Sequence, residues 1–363
     1  MKRTALPSAL KPLLVALLAC SSLAAHADIA LLPSVNLYGL VDTGYASTNN
    51  TGKNANANTS GAVDSILGVS SVGLRGEKDW GNGLTGFYNL QVGFLPSSGK
   101  LSNTDVLFSR NAYVGVRNEL GSLSVGRQWV FADDWLVGSV FKGGYNAGAV
   151  FKFSEFDAVS DLYRNTLKYV SPVFGGGAQV GAMYAKKIGE SVSAGNTDNS
   201  SLSNIGARYS QGPWMVAATY LQEKGISGGS YKLVTAGGAY DFAPFKLRLG
   251  YTHNDIEAGS YQSIGTMLVD NKAYAVNTGV DYAITGKLNL ALDYLIRRNT
   301  TFDEHSTVNR LLLTYAWRPD LTLVGNLASI RNSGTATQTL VGDTPLSGGH
   351  SQTSMAAGVR FSF

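Results

Sequence analysis

Large apolar side chains fall on every second residue through much of the chain. From Phe245 to Thr252, Phe245, Leu247, Leu249 and Tyr251 share one face, while Lys246, Arg248, Gly250 and Thr252 share the other. This is the period-two geometry of an extended strand. Leu288, Leu290, Leu292 and Tyr294 alternate with Asn289, Ala291 and Asp293, and Tyr274, Val276, Thr278, Val280 and Tyr282 with Ala275, Asn277, Gly279 and Asp281. One face suits lipid and the other suits water. A soluble sandwich also buries one face, but its outer face is usually more charged than these small and amide-bearing residues.

Seven tight turns punctuate the pattern: Gly81 to Gly83, Asn118 to Gly121, Pro172 to Gly177, Gln211 to Pro213, Asp241 to Pro244, Ala283 to Gly286 and Arg318 to Asp320. Between them lie longer polar stretches, Thr48 to Ala62, Phe131 to Asp161, Ile188 to Ser201 and Arg331 to Gln352, which are expected to be loops. Short turns at one end and long loops at the other predict an all-β, antiparallel transmembrane barrel of about sixteen strands, with periplasmic turns and outer loops. Trp80, Trp214, Tyr220, Tyr240, Tyr251, Tyr282, Tyr315 and Trp317 near strand ends would form its aromatic girdles. The alternating C-terminal run Gly358 to Phe363 predicts a last strand that closes the cylinder against the first, leaving no edge unpaired in lipid.

The N-terminus adds an address. Lys2 and Arg3, the short apolar run Leu13 to Ala19 and the Ala25-His26-Ala27 site read as a signal peptide over residues 1–27, leaving one barrel domain over 28–363. Leu17-Leu18-Ala19-Cys20 also resembles a lipobox, but the downstream cleavage site fits better. Cleavage would remove the one cysteine, and with it any disulfide or cysteine metal site. It would also remove Lys2, Arg3 and Lys11 and no acidic residue, so the net charge falls from +4 to +1, which gives no basis for a nucleic-acid partner.

Five segments, in order, carry a family resemblance: Val35 to Asp42; Gly73 to Leu84; Phe108 to Gly115; Gly126 to Gln128; and Tyr163 to Pro172. Together with the signal and the terminal Phe363, the chain resembles the general porins of Gram-negative bacteria. That resemblance implies a trimeric, sixteen-stranded outer-membrane barrel, recognised by the barrel assembly machinery through Phe363, embedded in outer-membrane lipid, and passing small hydrophilic solutes and ions by passive diffusion. It also implies a third loop, here about Trp129 to Asp161, folded inward to narrow the pore; its length suits a functional segment. Asp133, Asp134, Glu155 and Asp157 are the acids it could present to the lumen. Arg110 and Arg164 match two positions of the family's opposing arginine ladder, and Arg75 and Arg127 are further candidates. Such a pair of walls sets up a transverse field that sorts ions by charge. Ser71 stands where a third arginine is expected, so strong anion selectivity is not implied.

Two other readings compete with an open diffusion pore. The loop aromatics Trp129, Phe131, Trp135, Phe141, Tyr145, Phe151, Phe153 and Phe156 either pack the loop on the wall or offer a stacking surface that makes the channel substrate-selective. A barrel hydrolase would need a catalytic group, yet His253, His305 and His350 fall at strand ends or in loops and belong to no H-E-x-x-H or G-x-S-x-G motif. The Asp303-Glu304-His305 run is the nearest approach to one. The expectation is therefore an open pore without cofactor or covalent chemistry.

Overall fold

The computed structural model describes residues 34–52, 54–142, 162–188, 200–225, 229–257, 270–340 and 348–363. The strands are β1 (Ser34–Thr51), β2 (Ala57–Val63), β3 (Ser71–Asp79), β4 (Thr85–Leu95), β5 (Lys100–Leu101), β6 (Asn111–Asn118), β7 (Gly121–Trp129), β8 (Leu162–Val170), β9 (Ala178–Lys186), β10 (Ser201–Gln211), β11 (Trp214–Lys224), β12 (Ser230–Phe242), β13 (Phe245–Ile256), β14 (Asn271–Ala283), β15 (Leu288–Asn299), β16 (Glu304–Arg318), β17 (Leu321–Gly334) and β18 (Ser351–Ser362), with, among the described residues, one short helix, α1 (Phe131–Leu136). Each strand pairs antiparallel with its neighbours, and β18 returns to β1. β2 and β3 occupy one position, the former pairing with the outer half of β1 and the latter with its inner half. β5 is a two-residue spur on β4. The remainder is a closed sixteen-stranded barrel.

All seven tight turns lie where the sequence places them, at the periplasmic end. Outward positions carry the apolar residues: Leu247, Leu249, Leu292, Tyr294 and Leu311 are exposed, while their inward neighbours Arg248, Asp293 and Arg310 are buried. At the periplasmic rim the outward aromatics form a continuous row. Trp214 lies 4.3 Å from Tyr240, and Phe245 stacks on Tyr282 at 4.9 Å, between ring centroids. The seam forms as expected. Leu40 pairs with Ser362 and Thr48 with Ser354, and the Gly39 and Phe363 backbones exchange hydrogen bonds of 2.8 and 3.0 Å.

Two expected loops are shorter than the sequence suggested. Residues 48–62 are largely strand, with β1 running to Thr51 and β2 starting at Ala57, and Arg331 to Gly334 continue β17. Above the membrane a strand has water on both faces, so its residues lose the alternation that marks the rest.

Between β2 and β3 the chain leaves the wall and turns inward. The Asp42 carboxylate accepts hydrogen bonds from the backbone N–H groups of Ile66, Leu67 and Gly68 at 2.6, 2.9 and 3.1 Å, and Ser70 Oγ accepts one from the Asp42 N–H at 2.9 Å. This segment seats the fully buried Ile66 against Gly44 and Gly358, where a Cβ would lie 2.4 and 2.5 Å from its Cδ1.

Candidate constriction of the channel

The third loop begins by turning across the lumen and lies against the wall formed by β8 to β16. Phe131, Ala132, Trp135, Leu136, Val140 and Phe141 are all buried. Four of these side chains each meet a glycine. A Cβ on Gly181 would fall 2.4 Å from the Phe131 ring, one on Gly206 2.6 Å from Trp135, one on Gly237 2.9 Å from Val140, and one on Gly250 2.3 Å from Phe141. Real Cβ atoms do not approach so closely, so these four inward positions act as notches that receive the loop. The wall also pairs with the loop's backbone at its start: Asn204 Oδ1 accepts from the Phe131 N–H at 2.9 Å.

Cations of the wall fasten both ends of this segment. At its start, Lys168 Nζ donates to the Trp129 carbonyl at 2.6 Å, pairs with Asp134, and lies 4.7 Å above the Phe131 ring. Arg208, held by Gln179, stacks on Trp135 at 5.7 Å. At its end, Arg248 Nη1 donates to the Val140 carbonyl at 3.0 Å and to Asp293 at 2.7 Å. Arg310 Nη2 donates to the Lys142 carbonyl at 3.1 Å and to Asp293 at 2.6 Å. Lys142 Nζ and Arg248 Nη2 both lie 2.9 Å from Asp281. Three cations thus share two carboxylates in a nearly solvent-free cluster, a geometry in which each charge depends on the others.

The facing wall, β1 to β7, is built differently. Tyr38 Oη donates to Asn89 at 2.6 Å and carries the Arg75 guanidinium 4.8 Å above its ring. Ser71 accepts from Gln91, which in turn accepts from Asn111, both at 2.9 Å, so the position at which the family pattern has arginine is joined to a neutral amide chain. Arg110 lies 4.9 Å over Trp129 at the root of the loop.

The sequence-derived site residues therefore divide. Arg75 stands over Tyr38 on the facing wall and Arg110 over Trp129 at the root of the loop, while Asp133 and Asp134 sit in the first turn of α1. Arg127 Nε donates to the Ser109 carbonyl at 3.2 Å, next to the β7 bulge that opens at Gly126. There φ is +136° and a Cβ would meet the Ala112 carbonyl at 2.2 Å. Arg164 is half-buried beside Asn165, whose φ is +57°. Glu155 and Asp157 lie outside the described residues, as do Tyr145, Phe151, Phe153 and Phe156. Phe131, Trp135 and Phe141 are packing residues rather than a stacking surface. Sequence reasoning missed Lys168, Arg208 and the Arg248–Asp293–Arg310 cluster. Alternation already turned Arg248 and Asp293 inward, and the usable signal was that Asp293 and Arg310 are directly opposed on adjacent strands. The inward glycines and alanines read as room for water are in part occupied: Gly250 by Phe141 and Gly279 by Arg248.

The Glu304–His305 pair does not assemble a catalytic site. Glu304 turns inward and binds Arg297 at 2.8 Å, whereas His305, the next residue along β16, faces outward.

A closed antiparallel barrel with a lipid-compatible exterior, aromatic rim and inward-laid third loop defines an outer-membrane channel protein. Sequence comparison agrees: the family described as Gram-negative porin matches residues 14–335, and this chain belongs to it. An outer membrane porin protein of Bordetella pertussis is 32% identical over 263 residues, covering 65% of this chain and 68% of that protein. The anion-selective porin from Comamonas acidovorans superposes with a TM-score of 0.78 at 24% identity, covering 92% of this chain and all of that one. The trimer form of OmpT from Vibrio cholerae gives a TM-score of 0.64 at 16% identity, covering 91% and 99%. The protein is an outer-membrane porin, a channel for diffusion of small hydrophilic solutes and ions.

Proposed function

We propose that the pore is narrowest between the acidic first turn of α1, at Asp133 and Asp134, and the facing wall at Arg75 and Arg110, with Glu155 and Asp157 adding to the acidic side and Arg164 of β8 to the basic charge around the gap. Supporting this reading, Arg110 lies 4.9 Å over the Trp129 ring at the root of the loop, and α1 with its two acids follows directly. Opposed charges across a narrow aqueous gap part cations from anions and align water dipoles between them. Lys168 blunts the acidic side by pairing with Asp134, and Ser71 thins the basic one, so the field is weaker than the full ladder would give. Solutes pass down their gradients with no covalent step and no cofactor. The working unit is a homotrimer, as in the trimer form of the Vibrio cholerae protein. Cleavage after Ala27 precedes assembly, and the barrel assembly machinery reads the C-terminal strand through Phe363.

The test is the reversal potential of single channels in planar bilayers under a salt gradient. Arg110→Ala should move it toward cation preference and Asp134→Ala toward anion preference. Unchanged values in both variants, with channels still open, would place the constriction elsewhere.

A further inference from the structure

The rings of the third loop pack against protein, but the opposite wall keeps aromatic side chains on its water-facing side. Tyr38 of β1, Phe87 of β4 and Tyr113 of β6 all turn inward, and each is only half-buried. Glycines set the posture of two of them. A Cβ on Gly73 would fall 2.6 Å from the Tyr38 ring, and one on Gly115 2.4 Å from the Phe87 ring, so Tyr38 lies down on β3 and Phe87 on β6. Asn89 of β4 stands between, directly opposite Arg75 on one side and Tyr113 on the other.

The result is a trough with two unlike banks. On one, the Arg75 guanidinium lies 4.8 Å over the Tyr38 ring, whose hydroxyl donates to Asn89 at 2.6 Å. On the other, Tyr113 meets Phe87 edge-on, with 78° between the ring planes and 6.3 Å between centroids. Two inter-strand steps put the Cα atoms of Arg75 and Tyr113 about 10 Å apart, room for one planar ring. Both ends of the trough are closed by groups that satisfy each other. Toward the periplasm Arg117 reaches across β4 to bind Glu77 at 2.5 Å, and on the other side Gln91 is joined to Ser71 and Asn111, each at 2.9 Å. Glu77 is thus neutralised by Arg117, and among the described residues no carboxylate pairs with Arg75. An exposed guanidinium beside exposed rings has one charge to match and apolar faces to cover.

We propose that this trough is a binding site for planar aromatic carboxylates passing through the pore: Arg75 holds the carboxylate, and the solute's ring lies against Phe87 and Tyr113. The inference rests on the reading that this wall borders the constriction, and adds to it a choice among solutes of equal charge. A guanidinium takes a carboxylate through two parallel N–H donors, and these point along its plane while its face rests on Tyr38. Aromatic rings favour one another over saturated rings of the same size, because the negative face of one meets the positive edge of the other. A neutral sugar would cover the rings and leave the cation without a counter-charge.

The experiment is the ion current through single channels of the refolded full barrel in planar bilayers, titrated with benzoate, with cyclohexanecarboxylate and with benzamide. The two acids carry the same charge on rings of nearly the same size, and benzamide keeps the aromatic ring without the charge. In the wild type, benzoate should reduce the current with a midpoint roughly threefold to tenfold below that of cyclohexanecarboxylate, and below that of benzamide as well. Phe87→Leu should bring the midpoints of the two acids together, and Phe87→Tyr should keep them apart. Arg75→Gln should weaken both acids and leave benzamide where it was. Heat-modifiable migration and open channels in plain salt will show that each variant is a folded barrel. Equal midpoints for the two acids in the wild type, or a gap that survives in Phe87→Leu, overturns the proposal. So does benzamide acting as strongly as benzoate. Failure of the constriction reading looks different: it leaves the salt reversal potentials of Arg110→Ala and Asp134→Ala unmoved, whereas failure of the trough leaves the two acids indistinguishable.

Discussion

The two sides of the lumen are made of the same strands and turns, yet their inward residues do opposite things. On β8 to β16 they are glycines, aliphatic residues and buried charges, shaped to receive a piece of the protein's own chain. On β1 to β7 they include Tyr38, Asn89 and Arg75, joined through the Tyr38 hydroxyl and ring, and Gln91, joined to Ser71 and Asn111. Asymmetry of this kind is how a symmetric cylinder acquires a constriction. One wall is given over to holding the loop, and the other is left to meet the solute.

The comparison breaks most sharply at Asp293. Asp293→Ala strips Arg248 and Arg310 of the carboxylate they share and leaves two buried cations poorly compensated, with an expected loss of about 3–5 kcal/mol. Arg75→Gln on the facing wall should fall within about 0.5 kcal/mol of wild type. Urea unfolding of barrels refolded into lipid vesicles measures both, and similar losses in the two variants would erase the distinction between the walls. A smaller effect is expected at a notch. Gly250→Leu forces Phe141 out or distorts β13, at about 1–3 kcal/mol, and the displaced loop should lower unitary conductance. Unchanged conductance would mean that the segment around Phe141 does not shape the pore. Smallest is Ser71→Arg, which adds to the facing wall the charge that the family pattern has there. Ser71 is buried and bonded to Gln91, so the arginine must displace that amide to reach the lumen, where it should raise the anion-to-cation permeability ratio by roughly twofold, read from reversal potentials.

How much of this was written in the sequence depends on where the information resides. Strand faces, seven turns and the closing strand are local or period-two signals, and they were legible because lipid imposes a strict alternation on every residue it touches. Arg110 and Arg164 were offered by a motif, Arg75 only as a further arginine candidate, and Asp134 as one acid of the expected third loop. The loop's docking surface was not, because Gly181, Gly206, Gly237 and Gly250 are scattered over four strands, and each alone looks like an ordinary strand glycine. The cluster around Asp293 was equally dispersed, joining Lys142 to residues more than 100 positions away. The inward turn after β2 escaped notice too. Its anchor, Asp42, reads in sequence as one more polar residue of the first strand.

That inward turn bears on how the barrel is finished. Ile66 rests on Gly44 of the first strand and Gly358 of the last, so its seat is complete only when the two ends of the chain have met. Until then Asp42 can gather the three N–H groups, but the isoleucine has half a floor. The segment is thus a lock that engages after the ring has closed, and its protection from proteolysis would report the moment at which an assembling barrel becomes a cylinder.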